Sequence, residues 1–365
     1  MTSILARDLQ QRVPLLAEQF RKADPFPHVL IKDFVEPSFL DRLIREFPAF
    51  DHGKALNEYG EVGSKAVHEN LAPLGEAYRQ LDELFASPDM LGLISGITGI
   101  PDLLYDPEYV GGGTHDNRHG QELDPHVDFN FHPTNRWHRR LNLILFLNEE
   151  WRAEWGGSLQ VHSDPWERGK PDRVKSYLPL ANHCVLFETS EVSWHGFPKI
   201  DLPENRRELS RRSIAVYFYT KSRPKEQTAP DHSTVYVPRP LPDKFRAGHK
   251  LSNEDAGELK IAVQRRDRQM KFLYEREKEF SLVIEGCHWR IGEHEKEIDK
   301  LQAIHREQHE EIGKMVTLNR ELHEEIENLK RKHADAIYRI FRSPTFRLGY
   351  VLSWPARVLK GLFGT

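Results

Sequence analysis

The run LNLILFLN at residues 141–148 is apolar at nearly every position, which is typical of a strand buried on both faces. SIAVYFYT at 213–220 has the same character, and GGSLQVHS (156–163) and HCVLFETS (183–190) are further short β-rich runs. Gly, Pro, Asn and Asp separate these runs. Short strands at such spacing predict a sandwich or barrel, which we place between residues 103 and 240.

The preceding region, residues 1–102, is predicted to be mainly helical support for this barrel. HVLIKDF at 28–34 is strand-like, and four apolar residues between Leu40 and Phe47 recur at the spacing of one helix face. A second helical stretch covers about 75–96 and is interrupted at Pro88.

Composition limits the classes of protein to consider. The chain has 365 residues, which suggests two or three folding units, and its net charge of −4 argues against a nucleic-acid binder. Its two cysteines, Cys184 and Cys287, fit neither a disulfide framework nor a zinc site. The first residues carry no long apolar core, and LNLILFL is far shorter than the roughly 20 residues of a membrane span. We therefore expect a cytoplasmic protein.

Residues 254–337 carry a heptad pattern. With Ala256 at position a, seventeen of the twenty-four a and d positions over twelve heptads are apolar, in a segment otherwise rich in charge. This periodicity predicts a coiled coil, and hence a homo-oligomer, in which Asn319 at an a position favours one register. A long solvated helix folded back on the protein is the alternative.

The final segment, residues 338–365, is a cationic amphipathic tail. It holds five cations and no acid, with apolar and aromatic residues between them. That composition is typical of a segment that lies on a membrane surface, although a tail that docks on a partner protein has the same make-up.

The stretch DPHVDFNFH at 124–132 places a base and an acid on one face of a strand. His126 and Asp128 are two residues apart, so their side chains point the same way. They could form an ordinary buried hydrogen-bonded pair, or two of three metal ligands. His195, in SEVSWHGFP after an apolar strand, offers the third. Two imidazoles and one carboxylate form the facial triad of non-haem Fe(II) oxygenases.

A cation near such a triad would hold a co-substrate. Arg212 stands at the start of a predicted buried strand, where an unpaired charge is costly. Because guanidinium binds carboxylates in a bidentate manner, the triad and this arginine together predict 2-oxoglutarate, with its distal carboxylate on Arg212. We prefer Arg212 because it shares a strand face with Ile214 and Val216, and Arg211 is the alternative.

These residues occur in an ordered set of motifs. The set comprises the His126–Asp128 pair, LNLILFLNEEW, EWGGSLQV, WHGF and RRSIAVYFYT, preceded by DPFPHVLIKDFVEPSFLDRLIREFP at 24–48. Residues 25–222 thereby resemble the Fe(II)/2-oxoglutarate dioxygenase superfamily, in particular its prolyl 4-hydroxylase-like branch. The resemblance implies a mainly β fold with flanking α, a double-stranded β-helix or jelly roll, and iron bound by His126, Asp128 and His195.

The resemblance also suggests further site residues. Tyr109 would touch the co-substrate, and Asn142 and Phe146, which share a strand face with Ile144, would line its pocket. Trp194 and Trp137 are candidates to line the substrate site, although packing is the commoner role for both. No catalytic side chain is expected beyond the groups that bind metal and co-substrate.

The implied activity is hydroxylation of an unactivated C–H bond with Fe(II), 2-oxoglutarate and O2, with ascorbate as a further candidate cofactor. A prolyl or other amino-acid residue is the favoured target, in a peptide or small molecule, and succinate and CO2 would be released. Two alternatives remain: a coiled-coil scaffold that carries a degenerate, non-catalytic barrel, and a cupin-type metal enzyme that uses no 2-oxoglutarate.

Overall fold

The computed structural model describes residues 4–50, 66–166, 170–242, 244–355 and 358. The chain divides into two units, Met1–Lys250 and Leu251–Thr365. The described strands all lie in the first unit: β1 (His28–Ile31), β2 (Ala66–His68), β3 (Leu104–Tyr105), β4 (Gly113–Asn117), β5 (Leu123–Val127), β6 (His138–Phe146), β7 (Leu159–His162), β8 (Val174–Tyr177), β9 (Cys184–Glu188), β10 (His195–Phe197), β11 (Arg211–Thr220) and β12 (Val235–Tyr236).

These strands form two antiparallel sheets. The larger sheet has the order β1-β9-β6-β11-β4-β2, with β3 also paired to β11. The smaller sheet has the order β12-β5-β10-β7-β8. Side chains from both sheets share one apolar cluster, in which Phe146 and Phe187 of the larger sheet meet Leu159 and Val161 of the smaller one. The predicted jelly roll with flanking helices is confirmed.

The larger sheet has two faces of different character. Leu141, Leu143 and Leu145 of β6 belong, with Ile214 and Val216 of β11, to the core that packs under the helices; we call this the helix face. The opposite side chains point between the two sheets, and we call this the barrel face. On β11 it carries Arg211, Ser213, Ala215 and Tyr217, as strand alternation requires.

Four helices cover the helix face: α1 (Leu9–Lys22), α2 (Pro37–Arg45), α3 (Glu76–Ala86) and α4 (Pro88–Thr98). The predicted interruption at Pro88 separates α3 from α4. Ser87 has an extended backbone there, and its side chain accepts a hydrogen bond from the Met90 N–H. Serine as N-cap followed by proline at the first helical position is a favourable helix start.

Two strands join the larger sheet from outside the predicted barrel of residues 103–240. β1 pairs with β9, and β2 pairs with β4, so the N-terminal region contributes both ends of that sheet. Only the first of them was expected to be a strand. β2 is three residues long, too short for its alternation to be recognised.

The second unit contains α5 (Asn253–Arg342) and α6 (Pro344–Leu352). Ser252 and Asp255 form a reciprocal capping box at the start of α5. Pro344 disfavours helical backbone at Ser343, so α5 ends there and α6 begins. Among the described residues, no helix is both long and apolar enough to cross a bilayer.

Candidate metal centre

The three predicted ligands come together between the sheets. β10 pairs with β5 so that His195 lies directly opposite His126, which puts both imidazoles on the same face. Asp128 follows β5 and points to that face because it stands two residues after His126. The sequence prediction that these side chains converge is therefore confirmed in the fold.

The ligand atoms are close enough to surround one ion. One donor atom from each of His126, Asp128 and His195 lies within 4.8 Å of the others. Nε2 of His126 is 3.7 Å from Oδ1 of Asp128, and Nε2 of His195 is 3.5 Å from its Oδ2. Two imidazoles with one carboxylate suit Fe(II), and three ligands leave positions open for other molecules.

Backbone carbonyls orient both imidazoles. Nδ1 of His126 lies 2.9 Å from the Asp124 carbonyl, and Nδ1 of His195 lies 2.9 Å from the Ser193 carbonyl. Since carbonyl oxygens accept hydrogen bonds, each Nδ1 carries the proton and each Nε2 offers its lone pair toward Asp128. Burial lowers the pKa of His195, which favours the neutral imidazole that binds metal.

Asp128 is held through one of its two oxygens. Asn142 Nδ2 donates to Oδ2 over 2.7 Å, and Arg139 Nη2 lies 3.0 Å from the same oxygen. Burial alone would raise the pKa of Asp128, but Arg139 and the two imidazoles hold it well below its usual range. The carboxylate is therefore ionised, and Oδ1 is left to bind the metal.

Arg139 was not among the predicted site residues. Its side chain is fully buried, and both Nε and Nη2 donate to the side-chain oxygen Oδ1 of Asn142. The guanidinium also lies 3.5 Å from the centre of the Tyr217 ring and 4.5 Å from that of Phe129. An arginine at the head of the apolar run LNLILFLN was the available signal, because a buried cation requires a nearby acid.

The two adjacent arginines of β11 point in opposite directions, and this corrects the preference for Arg212. Its guanidinium lies 5.1 Å from the Phe47 ring, on the helix face, where its cross-strand neighbour is Asp116. Ile214 and Val216 share that face, so the shared parity that favoured Arg212 directs it away from the metal ligands.

Arg211 lies on the barrel face and is only 4% exposed. Its guanidinium is 4.3 Å from the Phe197 ring and 5.0 Å from the Phe146 ring, and Nε donates to the Gly157 carbonyl. No carboxylate in the described part of the chain pairs with it, and burial lowers its pKa to about 9. This buried cation is therefore a candidate binding group for an anion.

Ser213 stands beside Arg211 on the same face. Its hydroxyl is buried and finds no hydrogen-bond partner among the described residues. A buried hydroxyl without a partner is costly, and a ligand carboxylate that reached Arg211 could accept its hydrogen bond. Ser213 was not among the predicted site residues, because it becomes a candidate only when Arg211, and not Arg212, is taken as the carboxylate-binding arginine.

Tyr109 does not face the metal ligands, contrary to expectation. It packs in the core under the helices, and its hydroxyl donates to Asp82 of α3 over 2.8 Å. Burial raises its pKa, so it remains a neutral donor. Its position follows from a backbone with φ of +50°, which the sequence could not indicate.

Trp194 also faces the other way. It is adjacent to His195 in the chain, so its ring packs outside the smaller sheet with Val127 and Val237. Packing, the alternative role, is what the structure shows for it. Trp137 packs against the barrel-face residues Ala215, Tyr217 and Tyr219, and its contact with substrate stays a prediction.

Phe146 lies on the barrel face as expected, next to the Arg211 guanidinium. A further aromatic residue, Tyr236, was not anticipated. β12 pairs with β5, which places the Tyr236 ring 5.0 Å from the His126 ring. A two-residue strand leaves no periodic signal in the sequence.

The model of one protein family matches residues 113–219, and its description is 2OG-Fe(II) oxygenase superfamily. The match includes all three ligands, Arg211 and Ser213. Residues 113–219 therefore resemble the 2OG-Fe(II) oxygenases in sequence. The two imidazoles, the carboxylate and the buried cation beside them fit the iron and 2-oxoglutarate of the family's name.

Two curated relatives of this chain carry the name prolyl 3-hydroxylase. Prolyl 3-hydroxylase OGFOD1 of Mus musculus is 29% identical over 213 residues, which is 54% of this chain and 34% of the relative. The Xenopus laevis protein is 27% identical over 219 residues, 59% of this chain and 39% of the relative. The chain thus spans little more than a third of these relatives.

Among solved structures, a prolyl hydroxylase from Trichoplax adhaerens in complex with a peptide fragment of the hypoxia inducible factor oxygen degradation domain is similar. It shares 13% identity and has a TM-score of 0.41, with 59% of this chain and 92% of that chain covered.

Proposed function

We propose that this chain is an Fe(II)- and 2-oxoglutarate-dependent hydroxylase that acts on an amino-acid residue, with a prolyl residue of a peptide as the favoured target. The observation that carries the proposal is a buried arginine, Arg211, that has no acidic partner among the described residues and points into the same space between the two sheets as the His-Asp-His cluster. When bound, iron(II) and 2-oxoglutarate supply the oxidation of a C–H bond by O2, with release of succinate and CO2.

The first task of the protein is to hold the metal in one geometry. His126, Asp128 and His195 would bind it, each already oriented by a second hydrogen bond or ion pair. Asn142 and Arg139 occupy Asp128 Oδ2, so the carboxylate would bind through Oδ1 alone. One-atom binding leaves more of the metal open to co-substrate and O2.

The second task is to hold 2-oxoglutarate, and we assign it to Arg211 and Ser213. Arg211 lies against Phe197, which is two residues beyond His195 on the same strand face, a distance of about 7 Å along the strand. A diacid bound at both ends would therefore extend from the ligand cluster to the guanidinium. Arg211 would form a bidentate pair with its distal carboxylate, and Ser213 would donate a hydrogen bond.

The third task is to keep water away from the reaction. Phe187 lies 4.7 Å from the His195 ring, ring centre to ring centre, and belongs to a buried apolar cluster with Phe146 and Val161. Apolar walls strengthen the interaction between Arg211 and a carboxylate, because the local dielectric constant is low.

The preference for a prolyl residue rests on the names of the OGFOD1 relatives. The test incubates full-length protein with Fe(II), 2-oxoglutarate, O2 and proline-containing peptide libraries, and follows succinate release and a mass gain of one oxygen in the peptide. We expect succinate release that the correct peptide stimulates. Asp128→Ala should abolish it, and the exposed Asp201→Ala should serve as the matched control.

Each other outcome has a defined meaning. Oxygen added to a residue other than proline would overturn the prolyl assignment and keep the hydroxylase. If no succinate is released either with or without peptide, the result would contradict the proposed activity and favour a scaffold with a non-catalytic barrel. Turnover that requires no 2-oxoglutarate would favour a cupin-type enzyme.

We also propose that the tail, residues 338–365, contacts an anionic membrane surface. In its described part, Leu348, Val351 and Trp354 are exposed, and the cations Arg342 and Arg347 precede them. Apolar side chains and cations on one short segment are the requirement for interfacial binding. Two of its five cations, Arg357 and Lys360, lie outside the described residues.

Sedimentation of the full chain with vesicles tests this proposal. We expect binding to vesicles that contain phosphatidylserine and weaker binding to phosphatidylcholine alone. The double reversal Arg342→Glu/Arg347→Glu should release the protein, whereas Lys271→Glu/Lys278→Glu, the same charge change elsewhere on α5, should not. Equal loss in both variants, or no binding, would contradict the proposal and leave a protein partner as the reason for the tail.

A further inference from the structure

Helix α5 has an apolar stripe, formed by its a and d residues, that no other described residue covers over most of its length. Ile298 is 51% exposed and Leu301 60%, and the other aliphatic a and d residues from Val263 to Leu329 are exposed to a similar extent. Exposed apolar patches of this extent mark interaction surfaces, and a helix of 90 residues gains most of its stability from the burial of such a stripe.

Among the a and d positions that form this stripe, β-branched residues and leucines are segregated. The β-branched residues stand only at a: Val263, Ile284, Ile291, Ile298, Ile312 and Ile326. The leucines stand only at d: Leu259, Leu273, Leu301, Leu322 and Leu329. β-branched side chains at a with leucine at d favour two parallel strands over three or four, because each type fits the packing geometry of its own layer.

We propose that residues Phe280–Leu329 of α5 pair with the same segment of a second copy as a parallel, in-register two-stranded coiled coil. Asn319 would then face its counterpart at an a position, where two amides can hydrogen-bond to each other. A shift by one heptad would place Asn319 against an isoleucine and leave a buried amide unpaired, so Asn319 fixes the register.

Charge at the flanking positions agrees with this arrangement. In a parallel pair, each g residue faces the e residue of the following heptad in the other helix. Arg290 would face Glu295 of the partner subunit, and Glu325 would face Lys330 of the partner subunit. No g–e pair along α5 brings like charges together in this register, so no electrostatic term opposes it.

The a and d positions of α5 are more favourable for pairing after residue 280 than before it. Arg266 and Glu277 occupy d and a positions and would each meet the same charge on the other helix, which is why the paired segment begins at Phe280. Gly286, Gly292 and Gly313 lie at b and c positions, and a side chain at any of them would meet open space. They lower helix propensity without opening a gap in the seam.

Cys287 provides a direct test, because it stands at a d position and is exposed in the single chain. Two copies of Cys287 would face each other across a parallel, in-register seam. Mild oxidation of the full-length protein with diamide, which accepts the two electrons and two protons, should therefore give a covalent dimer. Cys184 is fully buried, so Cys184→Ser should leave the cross-link intact and Cys287→Ser should remove it.

A second site distinguishes orientation and register. In the Cys287→Ser background, Met315→Cys restores a cysteine at d, and Thr317→Cys places one at the outward f position. We expect cross-linking of Met315→Cys and not of Thr317→Cys. In an antiparallel pair, a residue can face its own counterpart at only one position along the helix. Cross-linking through Cys287 without cross-linking through Met315→Cys would therefore overturn the proposal. Equal cross-linking through Met315→Cys and Thr317→Cys would overturn it as well.

Light scattering completes the test without any substitution. We expect a particle of twice the chain mass of 42.6 kDa at micromolar concentration. A monomer or a trimer would contradict the proposal. Because these readouts involve only α5, they stand or fall independently of the hydroxylase activity.

Discussion

Arg211 and Arg212 show how a single step along a strand changes the role of a side chain. Arg211 is buried between the sheets against Phe146 and Phe197, without an acidic partner among the described residues. Arg212 lies against Phe47 under the helices. Burial of an unpaired cation destabilises a fold, so a ligand carboxylate that paired with Arg211 would offset this loss of stability.

We expect Arg211→Ala to raise the concentration of 2-oxoglutarate required for half-maximal succinate release by about tenfold to a hundredfold, the loss of one charge-assisted interaction. Arg212→Ala is the matched control and should leave that concentration within about twofold, since its effect is confined to the helix-face core. The opposite ranking of the two variants would show that Arg212 holds the co-substrate.

Asn142 would act on a bound metal through Asp128. Its side chain accepts from Arg139 and donates to Asp128 Oδ2, so it links a buried cation to a metal ligand. Asn142→Ala should weaken Fe(II) binding by about tenfold to a hundredfold, the usual effect of removing a group that orients a ligand. Competition with a chelator measures this, with Ile144→Val on the same strand face as control. Unchanged Fe(II) affinity would limit Asn142 to packing.

The sequence indicated the ligands more reliably than the residues around them. His126 and Asp128 are two apart in one strand, so local alternation was enough to place them together. Arg212, Tyr109 and Trp194 required knowledge of which strand face points inward, and apolar residues on both faces hide that choice. Arg139 joins the site across a register shift between β6 and β11, which no local pattern reveals.

At the level of elements, β10 carries the third ligand because it fits between β5 and β7. Gly196 makes this possible: a Cβ there would lie 2.5 Å from the Leu123 carbonyl oxygen of β5. Neither this close approach nor the pairing of β1, β2 and β12 could be predicted, because strand partners distant in sequence are chosen by tertiary packing.

The turn before β7 depends on Gly156. Its φ is +67°, and a Cβ would lie 1.9 Å from the Lys199 carbonyl oxygen. We expect Gly156→Ala to lower the free energy of unfolding by more than the ~1–2 kcal/mol of a left-handed alanine, because the backbone must also move. Gly120 has a φ of +86° and open space around it, so Gly120→Ala measures the loss in free energy of unfolding that comes from the left-handed backbone alone. If Gly156→Ala and Gly120→Ala lower the free energy of unfolding equally in thermal or urea unfolding, the backbone at Lys199 can move aside without cost.

For the whole molecule, the division at residues 250 and 251 follows a change in composition that the sequence shows directly. Strand-forming, turn-rich sequence gives way to a charged segment with heptad spacing, and each type of unit was predictable from its own periodicity. The homo-oligomer that the heptad pattern predicts stays a prediction, because most of the apolar a and d residues of α5 are exposed in the single chain.

We propose that His126, Asp128, His195 and Arg211 together bind Fe(II) and 2-oxoglutarate. The most direct measurement is anaerobic visible absorption of the full-length protein during titration of 2-oxoglutarate in the presence of Fe(II). We predict a weak charge-transfer band that saturates, that needs more 2-oxoglutarate in Arg211→Ala, and that is lost in Asp128→Ala. A folded wild-type protein that shows no band at saturating Fe(II) and 2-oxoglutarate would contradict the account.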